Sequence, residues 1–327
     1  MAALPKNSIA SKAITEKDNP IRRRRYTRSP AEALCVSLTP VRLAILRFLA
    51  ELRFLSLPQI ARLCCPSLRQ SLAEKSTRRQ MRLLFDAGLV DVLPISRAAL
   101  APASLPNDAS LLYGSAPNIY APTALGLETL SRADLTDKPY AAQKKLAYGP
   151  KNSLFLAHEL AVRDVRVWLE LAARECRYEL ECWKDGEAAA INLNRDQPPF
   201  SVRPDAWFVL RLGQAVLVGL VEVDRGTERG NRCWSEKLNA YRALFASGRL
   251  PDITGYVNAR VLVITPNEQR RDQLSILVEE LSEEFQGMLG QRFWLAEKTV
   301  LETPCLQMPV WRQLRGTTLQ PLFSGMV

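Results

Sequence analysis

Residues 202–224 read VRPDAWFVLRLGQAVLVGLVEVD, and their pattern is the main indication of how the second half of the chain folds. Two runs rich in β-branched and aromatic residues flank a short turn at Gly213, which is the pattern of a β-hairpin. Side chains alternate along a strand, so Glu222 and Asp224 face the same way. Because the hairpin brings Asp205 beside them, we predict that three carboxylates converge at one end of a sheet.

Converging carboxylates repel one another unless a divalent cation or a lysine offsets their charge. Lys237 is one candidate for that role, since it lies on the helix predicted after the hairpin. A Pro-Asp pair alone is common, but the order of a Pro-Asp strand, a Glu-x-Asp strand and a Lys-bearing helix is more specific. The order predicts an acidic site made of Asp205, Glu222, Asp224 and Lys237.

This order of elements resembles the PD-(D/E)XK nuclease fold, which builds a magnesium site for phosphodiester hydrolysis. Asp205 matches the Asp of that motif and Glu222 matches its first acid, whereas Asp224 stands where the lysine is expected. The resemblance implies that Asp205, Glu222 and the Val223 carbonyl hold Mg²⁺. It also implies that Lys237 replaces the missing lysine, orienting water or stabilising developing negative charge.

A long helix is predicted from Ser153 to about Arg174, and it carries Glu159 and the only histidine, His158. The nuclease resemblance makes Glu159 a candidate catalytic acid, because the first helix of that fold often supplies one near the metal. An acidic residue in a first helical turn equally suits the helix dipole. We interpret His158 as a hydrogen-bonded structural group.

The composition indicates a soluble protein with an anionic partner. The 327 residues carry a net charge of +10, which favours nucleic acid first and an anionic membrane surface second. The seven cysteines include no Cys-x-x-Cys, and a single histidine excludes the usual zinc clusters. No apolar run approaches the roughly 20 residues that span a bilayer. We expect a cytoplasmic protein with reduced thiols and no membrane association.

Residues 1–37 are predicted to form a disordered basic arm. Its densest charge is the block Arg22, Arg23, Arg24 and Arg25. Such an arm either grips DNA phosphates or is a solvated tail, and the sequence leaves both interpretations open.

Residues 38–130 have the order of elements of a winged helix-turn-helix. A helix begins at Thr39-Pro40, a short helix runs from Gln59 to Leu63, and a basic helix runs from Ser71 to Ala87. Two strands separated by an Ala/Pro/Ser-rich insertion, 94–117, would form the wing. A helix of this kind fits the major groove, so its polar face predicts contacts with double-stranded DNA. That face consists of Lys75, Ser76, Thr77, Arg78, Arg79, Gln80 and Arg82.

The predicted class is α+β, with the winged helix followed by an α/β nuclease-like domain. We place a linker at 131–150, the second domain at 151–300 and an unassigned tail at 301–327. The alternation of helices and strands after Ser153 predicts the order α-β-β-β-α-β-α-β.

Three segments of the second domain resemble the replication-relaxation family of plasmids and other mobile genetic elements. They are Arg203-Pro204-Asp205, the run Glu-Val-Asp-Arg-Gly-Thr-Glu at 222–228, and Lys-Leu-Asn-Ala-Tyr at 237–241. The resemblance implies DNA binding in the replication, relaxation or transfer of such an element, beside relaxosome or replication proteins. It does not decide whether the acidic site is catalytic.

Three functions stay open at this stage. The protein is a DNA-binding accessory factor of a mobile element, a Mg²⁺-dependent DNA endonuclease targeted by its winged helix, or a transcriptional regulator. The sequence also leaves open whether the protein forms a homodimer.

Overall fold

A computed structural model describes residues 37–100, 118–133, 153–193, 201–226, 231–282, 289–314, 316 and 318–323. The arginines of the predicted arm, most of the predicted insertion and most of the predicted linker lie outside these ranges, while residues 131 and 132 belong to a helix. Helices and strands are mixed along the chain, and the predicted α+β class is confirmed.

In its described residues, the N-terminal part contains five helices and a small antiparallel sheet with the strand order β1-β3-β2. Its elements are α1 (Pro40–Leu52), β1 (Leu55–Ser56), α2 (Leu57–Cys64), α3 (Gln70–Asp86), β2 (Val90–Leu93), α4 (Arg97–Leu100), β3 (Ile119–Pro122) and α5 (Ala124–Arg132).

Local chemistry explains where these helices begin. The Ser56 side chain accepts a hydrogen bond from the Gln59 backbone, and the Gln59 side chain accepts one from the Ser56 backbone, so a capping box starts α2. Thr123 caps α5 by accepting from the Gly126 backbone at 3.0 Å. A Cβ atom at Gly126 would lie 2.2 Å from the Leu89 carbonyl oxygen, so only glycine fits there.

The C-terminal part is built on a seven-stranded mixed sheet with the order β12-β11-β10-β9-β8-β7-β4. Its elements are α6 (Ser153–Cys176), β4 (Glu179–Asp185), a 3₁₀ turn (Gly186–Ala189), β5 (Ile191–Asn192), β6 (Ser201–Val202), β7 (Ala206–Leu212), β8 (Ala215–Val223), α7 (Asn231–Ala246), α8 (Leu250–Thr254), β9 (Arg260–Thr265), α9 (Glu268–Ser282), β10 (Phe293–Glu297), a 3₁₀ turn (Lys298–Glu302), β11 (Pro309–Gln313) and β12 (Leu319–Pro321).

Helices cover both faces of this sheet. Trp168 of α6 packs with Phe208 and Val221 on one face. Trp234 and Leu238 of α7 pack on the other face. Strands β8, β9 and β10 are parallel, and β7 pairs antiparallel with β8. Consequently the hairpin of β7 and β8 lies between two layers of helices.

Residues from the predicted tail belong to this sheet. Strand β11 pairs antiparallel with β10, and β12 pairs with β11. Trp311 is 1% exposed and packs against Trp168, with ring centroids 6.3 Å apart. The end of the described chain therefore completes the core on the α6 side.

Helix α6 joins the two parts of the molecule. Its Val167 and Leu171 lie in the same hydrophobic cluster as the core of α1, α2 and α3. Gln59 of α2 donates to the Leu160 carbonyl at 2.9 Å and to Asp164 Oδ1 at 2.7 Å. The Arg163 side chain donates to the Leu52 carbonyl at 3.0 Å. The two parts thus share one helix and one set of buried polar contacts.

Among the helices that the structure describes, none has the length and apolar character needed to cross a bilayer.

Candidate functional site

Asp205 ties β7 to β8 and to α6. Its backbone N–H donates to the Val221 carbonyl at 3.0 Å, and its Oδ2 accepts from the Val223 N–H at 2.7 Å. The other carboxylate oxygen, Oδ1, is hydrogen-bonded to His158 Nε2 at 2.9 Å. Both oxygens of this carboxylate are therefore occupied by donors from the protein.

Glu222 is the buried centre of the site. Its side chain lies near the end of β8 and the residue is 2% exposed. Tyr241 Oη donates to Oε1 at 2.5 Å, and Lys237 Nζ lies 3.0 Å from Oε2. Lys237 and Tyr241 are four residues apart on α7, so both reach the same point from one face of the helix. The Lys237 ammonium also lies 5.0 Å from the ring centroid of Trp234.

Burial dominates the electrostatics of this cluster. It raises the pKa of Glu222 to about 7, and the negative charge of Asp205 adds to that shift, whereas Lys237 and Tyr241 oppose it. Burial and the neighbouring Glu222 also hold the pKa of Tyr241 well above its ordinary value. Burial by itself would lower the pKa of His158, but the hydrogen bond and charge of Asp205 outweigh it, and the pKa is raised. The cluster can therefore take up or release a proton near neutral pH.

The donor set fits a divalent cation only after rearrangement. The Lys237 ammonium lies where a cation would meet Glu222, and Tyr241 already donates to the second oxygen. A carboxyl group with a pKa of about 7 is also partly protonated at neutral pH, and a protonated acid is a poor metal ligand. Within the described ranges, no three or more His, Cys, Asp or Glu side chains are grouped to hold a metal ion. As arranged, the cluster balances its charge with the protein's own groups.

Asp224 was predicted to be the third carboxylate of the cluster, but it pairs with Arg270 on α9 instead. Its Oδ2 accepts from Arg270 of α9 at 2.7 and 3.0 Å, and its Oδ1 accepts from the Gly226 N–H at 2.5 Å. Its side chain is fully buried in this pairing. Asp224 therefore holds α9 and the turn after β8 in place.

Glu159 lies in a separate ionic network between the two parts of the molecule. It pairs with Arg53 at 3.1 Å and with Arg163 at 2.9 Å, and Asp185 on β4 pairs with the same two arginines at 2.9 and 3.6 Å. Arg163 is fully buried. None of these contacts reaches Asp205 or Glu222, although the charge of Glu159 adds to that of Asp205 in raising the pKa of His158.

The basic helix α3 presents part of its predicted polar face to solvent. Lys75, Arg78 and Arg79 are exposed, and Ser76 is half-buried. Gln80 and Arg82 are half-buried and hold structural partners, because Arg42 donates to Gln80 at 2.8 Å and Arg82 pairs with Asp86 at 3.0 Å.

Thr77 was predicted to lie on the polar, DNA-facing side of α3, but its side chain is buried. Its residue is 1% exposed, and its hydroxyl lies 4.0 Å from Cys65 Sγ. The side chain therefore packs inward toward α2 and offers no surface to DNA.

Tyr241 was not among the predicted site residues, although its four-residue spacing from Lys237 on a helix could have indicated it. No local signal indicated the contact between His158 and Asp205, because 47 residues separate them.

Fold and site together define an α+β protein that pairs a small helical part carrying an exposed basic helix with a mixed sheet enclosing a carboxylate–lysine cluster. The family model described as replication-relaxation matches residues 46–258. The chain belongs to that family, as the three segments of the second part predicted. No curated protein and no solved structure matches it.

Proposed function

We propose that this protein binds double-stranded DNA through the exposed face of α3. The observation that carries the proposal is the row of Lys75, Arg78 and Arg79, three exposed cations on a single helix. Arginine and lysine on such a helix hold phosphates or donate to guanine edges in the major groove.

The surrounding elements support this proposal. Two helices precede α3, and the antiparallel pair β2 and β3 follows it, which is the order of a winged helix-turn-helix. Replication and relaxation, the processes in the family's description, both act on DNA. We infer an accessory DNA-binding role in a mobile genetic element, beside its replication or relaxation proteins.

The test is a salt titration of duplex affinity by fluorescence anisotropy. The triple variant Lys75→Ala, Arg78→Ala and Arg79→Ala should bind more weakly than the wild type. Each lost phosphate contact should also flatten the log–log salt dependence by roughly 0.9. The matched control replaces three exposed cations outside α3, Lys184 on β4, Arg232 on α7 and Lys298 after β10, with alanine. An unchanged affinity and salt slope in a folded triple variant refutes the assignment.

A Mg²⁺-dependent endonuclease is the second candidate function. One observation favours it: Asp205, Glu222 and Lys237 meet in one cluster, as the nuclease resemblance implies. Asp205 and Glu222 would hold the ion once Lys237 had withdrawn and Glu222 had lost its proton. Mg²⁺ would then supply Lewis-acid stabilisation of a phosphodiester.

Scanning calorimetry at about pH 8 tests this candidate, because Glu222 is then mostly ionised. If the site binds metal, Mg²⁺ or Mn²⁺ should raise the melting temperature of the wild type, since a ligand selective for the folded state stabilises it. Asp205→Ala should abolish the shift. The control Asp252→Ala also removes an Asp that follows a proline, but this one lies on α8 and pairs with Arg249 just before that helix, so it should leave the shift unchanged. Cleavage of supercoiled DNA is assayed with the same variants.

The absence of both a metal-dependent shift and metal-dependent cleavage in the wild type removes the endonuclease candidate. The DNA-binding proposal is judged separately, because the anisotropy assay needs no metal.

A further inference from the structure

A groove opens at the end of the large sheet opposite the carboxylate cluster. Strand β8 starts at Ala215, but its pairing with β9 begins only at Gly219 opposite Arg260. Residues 215–218 pair with β7 on one side. On the other side, none of the described strands pairs with them. The resulting groove has a volume of about 490 Å³.

The first wall of the groove is this strand edge. Unpaired N–H and C=O groups at a sheet edge are a template for another extended chain. Four residues of strand span roughly 13 Å, enough for a short segment to add by backbone hydrogen bonds. Leu217 and Val218 line the groove beside the edge, and Leu322 and Phe323 also line it. These four side chains are at most 7% exposed and form the floor of the groove, whereas Ala215 is exposed and Val216 half-buried. Ala215 and Val216 would contact alternate side chains of an added strand.

The opposite wall is cationic. Arg260 lies over the ring of Trp294 at 4.2 Å, and Arg292 lies over the ring of Phe245 at 4.4 Å, so packing orients both guanidinium groups. Each also donates to a backbone carbonyl, Arg260 to Leu322 and Arg292 to Ala259. Among the described residues that line the groove there is no Asp or Glu. Burial lowers the pKa of Arg260, and no acidic neighbour offsets the free-energy cost of burying its charge.

We propose that this groove binds an extended, acidic segment of a partner protein, which adds as a strand to the open edge of β8. Backbone pairing with residues 215–218 supplies affinity, and carboxylates of the segment pair with Arg260 and Arg292. A peptide fits better than a nucleic acid, because the groove offers an unpaired strand edge and apolar walls beside its two cations. The site is distinct from α3, so its success or failure is independent of DNA binding.

The test starts from display of random octapeptides against the full-length protein, with counter-selection on the double variant Arg260→Gln and Arg292→Gln. Enriched peptides should carry acidic residues among β-formers. A fluorescein-labelled copy of the most enriched peptide should bind the wild type saturably and the double variant at least about tenfold more weakly, since a tenfold loss is about 1.4 kcal/mol. The control Arg78→Gln, on α3, should bind it as the wild type does.

A second measurement addresses the backbone pairing without changing the protein. The same peptide with N-methyl groups at alternate residues cannot donate those backbone hydrogen bonds and should lose affinity. This comparison also stands if the double variant fails to fold.

Several outcomes overturn the proposal. The proposal is wrong if no peptide is enriched or if the enriched peptides lack acidic residues. It is also wrong if the wild type and the double variant bind the peptide equally, or if the N-methylated peptide keeps its full affinity. Displacement of the peptide by random duplex DNA would assign the groove to nucleic acid. A wild-type dimer that the double variant loses, measured by light scattering, would assign it to a second copy of the chain.

Discussion

Replacing Glu222 with glutamine should remove a pH dependence from the stability of the protein. The carboxyl group is buried, and its pKa is raised from 4.5 to about 7 in the folded protein. The folded state therefore holds this proton more tightly than the unfolded chain does. As pH rises from about 4.5, the unfolded chain loses the proton first, so stability that is present at low pH is lost as pH rises through about 7.

The size of the effect follows from the shift. One pKa unit corresponds to about 1.36 kcal/mol, and integration between about pH 5 and about pH 7 gives a loss of about 2 kcal/mol in the free energy of unfolding. Glutamine keeps the shape of the side chain and does not titrate, so the Glu222→Gln variant should lack this loss. The raised pKa of His158 acts in the same way, because the stability that this residue contributes at low pH is lost as the pH rises above about 6.5. Because His158 is present in both proteins, the difference between them isolates Glu222.

Urea unfolding followed by circular dichroism measures these free energies at about pH 5 and about pH 7. The matched control is Glu187→Gln, which replaces an exposed glutamate of the same chain and should keep the wild-type pH dependence. If wild type and Glu222→Gln lose the same stability between the two pH values, the buried carboxyl group does not hold the proton as argued.

The remaining predictions concern packing and the basic arm. Arg163 is fully buried between carboxylates, so Arg163→Ala should cost about 3–5 kcal/mol in thermal unfolding, whereas Arg132→Ala, in an exposed pair, should cost under about 1 kcal/mol. Equal effects would contradict the argument. Gly219→Ala places a Cβ atom 2.3 Å from the Phe208 ring and should cost about 1–3 kcal/mol, which Phe208→Leu in the same chain should partly restore. Deleting residues 1–28 should weaken binding to specific and random duplexes by similar factors, because phosphate contacts carry no sequence information. A loss confined to one preferred sequence in a gel-shift assay would show that the arm reads bases.

Local patterns accounted for most of the fold. Alternation along the hairpin placed Glu222 on a buried face, and the helix that follows brought Lys237 to it, so these two residues were predictable from spacing alone. The start of α1 was predictable from Pro40 at its first position, although the Thr39 side chain makes no capping hydrogen bond.

Pairing across long sequence separations was not predictable. Asp224 has the alternation expected of a site residue, but Arg270, 46 residues later, directs it away. Glu159 pairs with Arg53, which lies 106 residues before it. A strand or helix pattern tells which face a carboxylate occupies, whereas the cation that meets it depends on how distant elements pack.

The core shared through α6 fixes the angle between α3 and the large sheet. Val167 and Leu171 of α6 are packed among the helices that carry α3, while the other side of α6 packs on the sheet that carries Glu222. A duplex bound by α3 would therefore have one fixed orientation relative to the sheet. Were the sheet to contact the same duplex, inserting about five base pairs, half a helical turn, between the two contacted stretches would place the second on the far side of the duplex, and inserting about ten would return it.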